Sequence, residues 1–351
     1  MKSLKLLTLS LVSLLAVSLS SCNKNKSNKD DKSGEEQTSE NTTSSTNPGD
    51  NSSEPYIPQP GDIDAANIGP DKSVTIADIV NNHVYTDNYY SDISSSASGD
   101  NLKNALFDLI KGHTIRSYNN LEYDMLYTDR DWNRSPNVND ENPYMILIYF
   151  TANNDTSKQQ LWNHYHTSVS KHGIPEAEQS WDKEHIWAKS NGIGSSTALG
   201  YSDLHHLRAS DMHNNNTRSS LPEADVTGTK SYVTDFTGAN SGAKGKNGTT
   251  DVYEPYSIFK GDVARALLYM AVRYKSNLSL TDGTNSSGGK WGFLSNLIKW
   301  HLEDPADEFE IKRNSLVQYF QGNRNPFIDH PEYACKIYSG VGGVSSVCNS
   351  H

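Results

Sequence analysis

WDKEHIWAKSNGIGSSTALGYSDLHHLRASDMHNNNTRS, from Trp181 to Ser219, is dense in metal-ligand and proton-transfer side chains and poor in core residues. Glu184 and His185 set a carboxylate beside an imidazole. A lone Glu-His pair is common on surfaces, so its neighbours decide its meaning. Asp203, Leu204, His205, His206 and Leu207 alternate like a short strand, which predicts Asp203 and His205 on one face and Leu204 and His206 on the other. By itself this is a hydrogen-bonded histidine cluster bracing two strands; beside Glu184 it is a polar face in need of phosphate or metal. Asn214, Asn215 and Asn216 precede Arg218, and an Asn and an Arg three positions apart share one face of a helix. A solvated helix start is the other reading of that run. Together the stretch predicts a strand ending in Glu-His, a hairpin partner and a helix bearing Asn, a ββα unit. Adjacent strand residues point to opposite faces, so a site using both Glu184 and His185 requires a strand end or a bulge there. Trp181 and Trp187 flank the pair and are expected in the core rather than stacked on bases.

Upstream, Tyr144 to Phe150 (YMILIYF) is a continuous apolar run of the kind that forms a buried strand. Asp100 stands as N-cap of a helix that puts Leu102, Leu106, Leu109 and Ile110 on one face and stops at Gly112. Downstream, Val263, Leu267, Met270 and Tyr274 recur at helical spacing between Gly261 and Lys275, as do Phe293, Leu294, Leu297, Ile298 and Leu302 further on. Both segments read as amphipathic helices. Asp304-Pro305 reads as the cap and first turn of another helix, ending near Gly322. Asn325-Pro326 and His330-Pro331 favour extended chain. With no internal repeat, the expectation is one α+β domain over 88–340, mostly helical, with a small sheet and the ββα unit embedded in it.

The N-terminus carries Lys2 and Lys5, an apolar run from Leu6 to Leu19 and then Ser20-Ser21-Cys22, the layout of a secretory signal. The run is too short to span a membrane as a mature helix. Leu19 to Cys22 resembles a bacterial lipobox, which makes residues 1–22 a lipoprotein signal peptide and Cys22 the lipidated first residue; an ordinary cleaved signal is the other reading. Export follows from either. Residues 23–87 read as a flexible tether and linker. Up to about Glu54 almost no apolar residue offsets the entropy of ordering. Beyond Tyr56, the stretch around Val74-Thr75-Ile76 reads as a small strand or a docked linker. Cys335 and Cys348 remain once Cys22 goes to lipid. An oxidising compartment permits a bridge between them, and two free thiols are also compatible, since Cys348 lies in the Gly/Ser-rich C-terminal tail, 341–351.

A net charge of −11 opposes the binding of a polyanion. Many of the acids, however, sit in the tether (Asp30, Asp31, Glu35, Glu36, Glu40), whereas Lys183, Lys189, Arg208 and Arg218 fall beside the motifs. Local sign outweighs the sum.

The motifs resemble those of the bacterial endonuclease I family, the periplasmic and secreted nucleases of the ββα-metal (His-Me finger) group. That family's pattern of Glu-His, then Asp-x-His-(Asn or His)-Leu, then Asn-x-x-Arg-Ser is matched by Glu184-His185, by Asp203 to Leu207 and by Asn215 to Ser219. The likeness continues through Tyr89–Tyr118, Tyr253–Tyr274 and Asn323–Glu332, so it covers nearly everything after the tether. It implies a non-specific, metal-dependent endonuclease that hydrolyses phosphodiester bonds in DNA or RNA and leaves 5′-phosphates. It implies His185 as general base and Glu184 and Asn215 as ligands of one divalent ion. A carboxylate and an amide oxygen are hard ligands suited to Mg²⁺, with Ca²⁺ or Mn²⁺ as alternatives. Asn214, Asn215 and Asn216 all offer an amide oxygen, and the family spacing selects Asn215, three before the Arg. Under the same resemblance Arg218 is a phosphate clamp or a structural ion pair, and Asp203 and His205 support the base or its loop. The chain departs from the family at Ala188 and Ala209, where many relatives carry proline, and in RSSLPEADV, 218–226.

Two other readings use these residues differently. A zinc hydrolase would recruit His205, His206 and His213, with Asp203. A surface lipoprotein would capture nucleic acid on a nuclease scaffold without cutting it. The nuclease reading implies DNA or RNA as substrate, a membrane reached only through lipidated Cys22, no protein partner and a monomer. It places the protein outside the cytoplasm, anchored to the cell envelope or released.

Overall fold

The expectation of an α+β fold dominated by helices holds. The computed structural model describes residues 75–82, 88–139, 143–149, 181–234 and 240–351. The signal segment with Cys22, the tether apart from 75–82, and Phe150 lie outside the described residues. Three helices come first, α1 (Ile76–Asn82), α2 (Gly99–Ile110) and α3 (Leu121–Thr128). The motif stretch then gives β1 (Trp181–His185), β2 (Leu207–Asp211) and α4 (Met212–Arg218). An antiparallel sheet follows, β3 (Ser231–Thr234), β4 (Asn240–Asn247) and β5 (Thr250–Pro255) in that spatial order. Helix α5 (Lys260–Arg273) precedes a short parallel pair, β6 (Ser279–Leu280) and β7 (Lys290–Trp291). Helices α6 (Leu294–Glu303), α7 (Glu308–Gln321), α8 (Pro326–Asp329), α9 (Glu332–Tyr338) and α10 (Val344–Ser350) complete the chain.

Helix α5 is the centre of the core, and it is not amphipathic as its spacing suggests. Every residue from Gly261 to Arg273 is buried. Its charged positions face other elements instead of water and are paired there, as buried charges must be. Asp262 accepts from Arg208 at 3.1 Å, Arg265 is paired with Glu310, and Arg273 donates to His113 Nδ1 at 2.9 Å and to the Lys111 carbonyl at 2.6 Å. At Gly261 the Asp304 carbonyl comes so close that a Cβ would lie 2.0 Å from it. The Asp304 carboxylate accepts the Gly261 N–H at 2.8 Å, so it serves α5, and the cap of α7 is Asp307, which accepts from Glu310 N. Helix α7 ends at Gly322 in the left-handed region, as expected.

Other local expectations shift for identifiable reasons. The cap of α2 is Ser98 rather than Asp100, while Leu102, Leu106 and Ile110 are buried as the pattern requires. Of the apolar run, Met145, Leu147, Ile148 and Tyr149 are buried, and among the described residues it makes isolated bridges rather than a strand, Met145 with Arg130 and Ile148 with Ser210 beside β2, while Tyr149 turns to φ 69°. The two X-Pro steps start helices: Asn325 caps α8 by accepting from Phe327 N with Pro326 in the first turn, and Pro331 precedes α9. Residues 76–82 form a docked helix rather than a strand. Thr75 and Asp78 exchange hydrogen bonds at its start, and Ile79 packs with Trp132 and Leu316. The stretch read as a tail is ordered too: Val344 is fully buried, and a disulfide joins Cys335 on α9 to Cys348 on α10. Among the described residues no helix is long and apolar enough to cross a membrane.

Candidate active site

Strands β1 and β2 pair antiparallel from Trp181↔Asp211 to His185↔Leu207 with no register shift. The hairpin partner therefore starts at Leu207, four residues later than the alternation from Asp203 suggests. The Asp203 carboxylate accepts the His205 backbone N–H at 2.9 Å, closing a local turn that competes with strand. Asp211 ends β2 and caps α4 by accepting from Asn214 N at 2.8 Å. One residue thus turns the chain from strand to helix, and the β1–β2–α4 unit follows.

Glu184 and His185 lie at the very end of β1, on opposite sides of it. Asp182 and Glu184 face α4: Asp182 accepts from Asn215 Nδ2 at 3.0 Å, and Glu184 Oε1 accepts from Arg218 at 2.8 Å. A carboxylate only accepts, so the Asn215 amide nitrogen is committed to Asp182 and its Oδ1 is turned away from that bond. Asn214 is different, being fully buried with its Oδ1 taken by the Ser241 hydroxyl, and Asn216 is exposed. Burial pushes Glu184 up to about 8, against the pull of Arg218 and with added repulsion from Asp182 and Glu223.

His185 faces the other way, among Tyr118, Tyr201 and His206, whose ring centroids lie 5.7, 4.7 and 5.4 Å from its own. Its Nε2 is 2.9 Å from the Tyr201 carbonyl, which can only accept, so Nε2 carries the proton and Nδ1 holds the lone pair. Burial holds the imidazole well below its ordinary range, helped by His206, Lys189 and Arg218. The ring is neutral near pH 7. Nothing in the sequence pointed to Tyr118 or Tyr201, which reach His185 from a different segment and from the far end of the β1–β2 loop. Asp182 could have been found, two positions from Glu184 on the same strand face.

Arg218 is fully buried. It donates to Glu184, to Glu223 at 2.8 Å, and to the carbonyls of His185 at 3.1 Å and Ile186 at 2.6 Å. Burial opposes its charge, but Glu223 and Glu184 outweigh that and raise it. Of the two roles open to Arg218, this is the placement of the structural ion pair; a phosphate clamp needs an exposed guanidinium. Glu223, which also accepts from the Tyr149 hydroxyl at 2.8 Å, comes from the departing segment 218–226.

Asp203 and His205 do not touch His185. Asp203 is a buried hub that accepts from Tyr269, Tyr274 and Gln321 at 2.7–2.9 Å. Despite burial, His113, His205 and Gln321 hold its carboxyl well below the ordinary range. His205 Nε2 donates to the Asn323 carbonyl and His206 Nε2 to the Gly200 carbonyl, while His213 lies exposed on α4. The three histidines of the zinc alternative do not converge. Among the described residues no three His, Cys, Asp or Glu side chains are grouped to hold a metal ion, a pattern that a Glu-Asn pair does not enter. Trp181 and Trp187 are fully buried core residues, as expected.

The β1–β2–α4 unit thus brings to one strand end an imidazole whose Nδ1 lone pair is uncommitted among the described residues and a carboxyl group held by Arg218. Residues 98–332 match the family model Endonuclease I. The chain is 36% identical over 263 residues to an extracellular ribonuclease of Bacillus amyloliquefaciens, covering 72% of this chain and 78% of that one. It is 38% identical over 261 residues to an extracellular ribonuclease of Bacillus subtilis (strain 168), covering 72% and 79%. A shorter match, 32% over 78 residues (22% of this chain, 30% of the other), joins it to an extracellular deoxyribonuclease of Aeromonas hydrophila. The chain belongs to the Endonuclease I family and is a nuclease. That membership sets aside the reading as a non-cutting binder.

Proposed function

We propose that this nuclease is an exported, divalent-metal-dependent endonuclease that cuts phosphodiester bonds with little regard for sequence, uses His185 as general base and leaves 5′-phosphates. One observation carries the reading. Three acceptor atoms make no hydrogen bond among the described residues, and none of them is a sealed, unsatisfied atom: His185 Nδ1, Glu184 Oε2 and Asn215 Oδ1. Around them, Nε2, Oε1 and Nδ2 of the same residues are all committed.

The donor set fits a hard cation. Glu184 offers Oε2, the carboxylate oxygen not taken by Arg218, and Asn215 offers an amide oxygen held outward by Asp182. Glu184 and Asn215 would hold Mg²⁺, or Ca²⁺ or Mn²⁺, and the bound ion supplies Lewis acidity toward the leaving 3′-oxygen. His185 Nδ1 draws the proton from the attacking water, and the Tyr201 carbonyl fixes both the ring and its tautomer. Arg218 holds the carbonyls of His185 and Ile186 while it pairs with Glu184, so base and carboxylate share one anchor. With the two on opposite sides of β1, the scissile phosphate lies across the strand end.

RNA is the first substrate to test, since both relatives matched over 72% of this chain are named ribonucleases, and DNA the second. Residues 1–22 are the lipoprotein signal, Cys22 the lipidated residue, 23–87 the tether and 88–340 the catalytic domain; the protein works as a monomer outside the cytoplasm. RNA degradation and plasmid nicking with Mg²⁺, with and without chelator, test the activity. Cleavage undiminished in His185→Ala, or unaffected by chelation, would remove the base or the metal. Loss of acyl-chain labelling in Cys22→Ser tests the anchor, and labelling that persists refutes it.

A further inference from the structure

Of the four cations beside the motifs, three are consumed internally. Lys183 donates to Glu122 at 2.8 Å and to the Tyr118 carbonyl at 2.7 Å; Arg208 pairs with Asp129 and Asp262; Arg218 pairs with Glu184 and Glu223. Lys189 is exposed, and its ammonium meets only the Tyr201 side chain, 3.5 Å from the hydroxyl and 5.7 Å from the ring centroid. It has no carboxylate partner among the described residues. In a chain of net charge −11, this leaves Lys189, four residues from the proposed base, as the cation beside the motifs that is available to an anion.

Lys189 stands at the rim of a concavity of about 470 Å³ that it lines with Ser190, Ser195, Ser196 and Tyr201. The size is within the range of ligand pockets, roughly 300–1,000 Å³. The loop that shapes it is fixed from behind. Asn191 is buried, donates to the Lys290 carbonyl at 2.7 Å and accepts from Gly289 N at 3.0 Å. Gly192, at φ 91°, packs so closely that a Cβ would lie 2.5 Å from the Gly289 Cα. The Tyr201 ring that walls the concavity is the same one whose centroid lies 4.7 Å from that of His185.

We propose that this concavity is a nucleotide subsite for single-stranded nucleic acid, taking the sugar–phosphate unit next to the scissile phosphate, with Lys189 as its cation and Tyr201 as its wall. A cation, hydroxyls and an aromatic side chain on a fixed loop are the combination that tracks one strand, phosphate against charge and sugar or base against ring. Only the naming of the neighbouring phosphate as scissile rests on the proposed role of His185; occupancy of the subsite does not.

The test is binding without cleavage. Full-length protein is titrated in chelator against end-labelled short single-stranded RNA, single-stranded DNA and a duplex, and anisotropy is read over a range of salt. Lys189→Met is expected to weaken single-strand binding about fivefold to tenfold and to lower the slope of log K against log salt by about 0.7, with Lys189→Arg restoring both. The duplex is expected to lose less. Unchanged affinity and slope in Lys189→Met, or an equal loss in Lys189→Arg, would overturn the subsite. A greater loss for the duplex than for either single strand would overturn its assignment to a single strand. No cleavage enters this readout, so a failed kinetic test of His185→Ala would leave the result standing.

Discussion

Asn215 gives its amide nitrogen to the Asp182 carboxylate at 3.0 Å, and that bond decides which end of the amide looks outward. Without Asp182 the amide is free to turn over. Asp182→Ala is therefore expected to weaken the apparent Mg²⁺ affinity, read from cleavage rate against metal concentration, by about 10–100-fold. An unchanged Mg²⁺ curve would show that Asp182 does not orient the ligand.

Glu184→Gln keeps the size of the side chain and the acceptor for Arg218 while removing the charge offered to a cation. The expected result is cleavage that no longer saturates at Mg²⁺ concentrations that saturate the wild type, with thermal stability in chelator retained or raised, because a buried carboxyl pushed up to about 8 loses its desolvation cost. Wild-type metal dependence in this variant would exclude Glu184 as a ligand.

Arg218→Met leaves Glu184 and Glu223 buried without their guanidinium. Removing one partner from a buried pair costs about 3–5 kcal/mol, so denaturant unfolding of this variant should shift by that order. A phosphate clamp would behave differently, raising KM with the midpoint untouched.

Stability should depend on acid through the buried histidines. Burial pushes His113, His205 and His301 down to about 4 from 6.5, so each stays neutral in the folded state where the unfolded chain takes up a proton. A depressed folded value means no cost above pH 6.5, a loss of stability as pH falls from 6.5 to about 4, and no further loss from these groups below that. Each contributes on the order of 3 kcal/mol over that window. Urea midpoints measured between pH 7 and 4 should fall steadily; a flat profile would place these rings in contact with water.

The Cys335–Cys348 disulfide closes a loop with a sequence separation of 13. Loop closure of that length is worth about 3 kcal/mol, so a reductant should lower the thermal midpoint without abolishing cleavage. Equal midpoints with and without reductant would mean that packing alone holds α10 in place.

Where the sequence was legible, the signal was local. The Glu184-His185 pair marks a strand end and the Asn run with Arg218 marks a helix, so the ββα unit follows from neighbours in the chain, whereas the cap at Asp211 is a finding of the structure. What stayed hidden depends on residues far apart. Asp203 looks like a strand residue facing a site until Tyr269, Tyr274 and Gln321 arrive, up to 118 positions away, to fill its carboxylate. Helix α5 shows an apolar stripe, but its charged residues find partners at Arg208, Glu310 and His113, and no periodicity reveals that. The burial of Arg218 has no signal among its sequence neighbours, and that burial is what separates an ion pair from a phosphate clamp.

The guanidinium of Arg218 grips two consecutive peptide oxygens where the first strand ends and a carboxylate of that strand at once. Evolution toward a softer ion or a different charge at position 184 would disturb this knot and, with it, the seat of the imidazole one residue on. On the proposed roles of Glu184 and His185, metal preference and proton transfer would be inherited together, and laboratory selection for one should drag the other along.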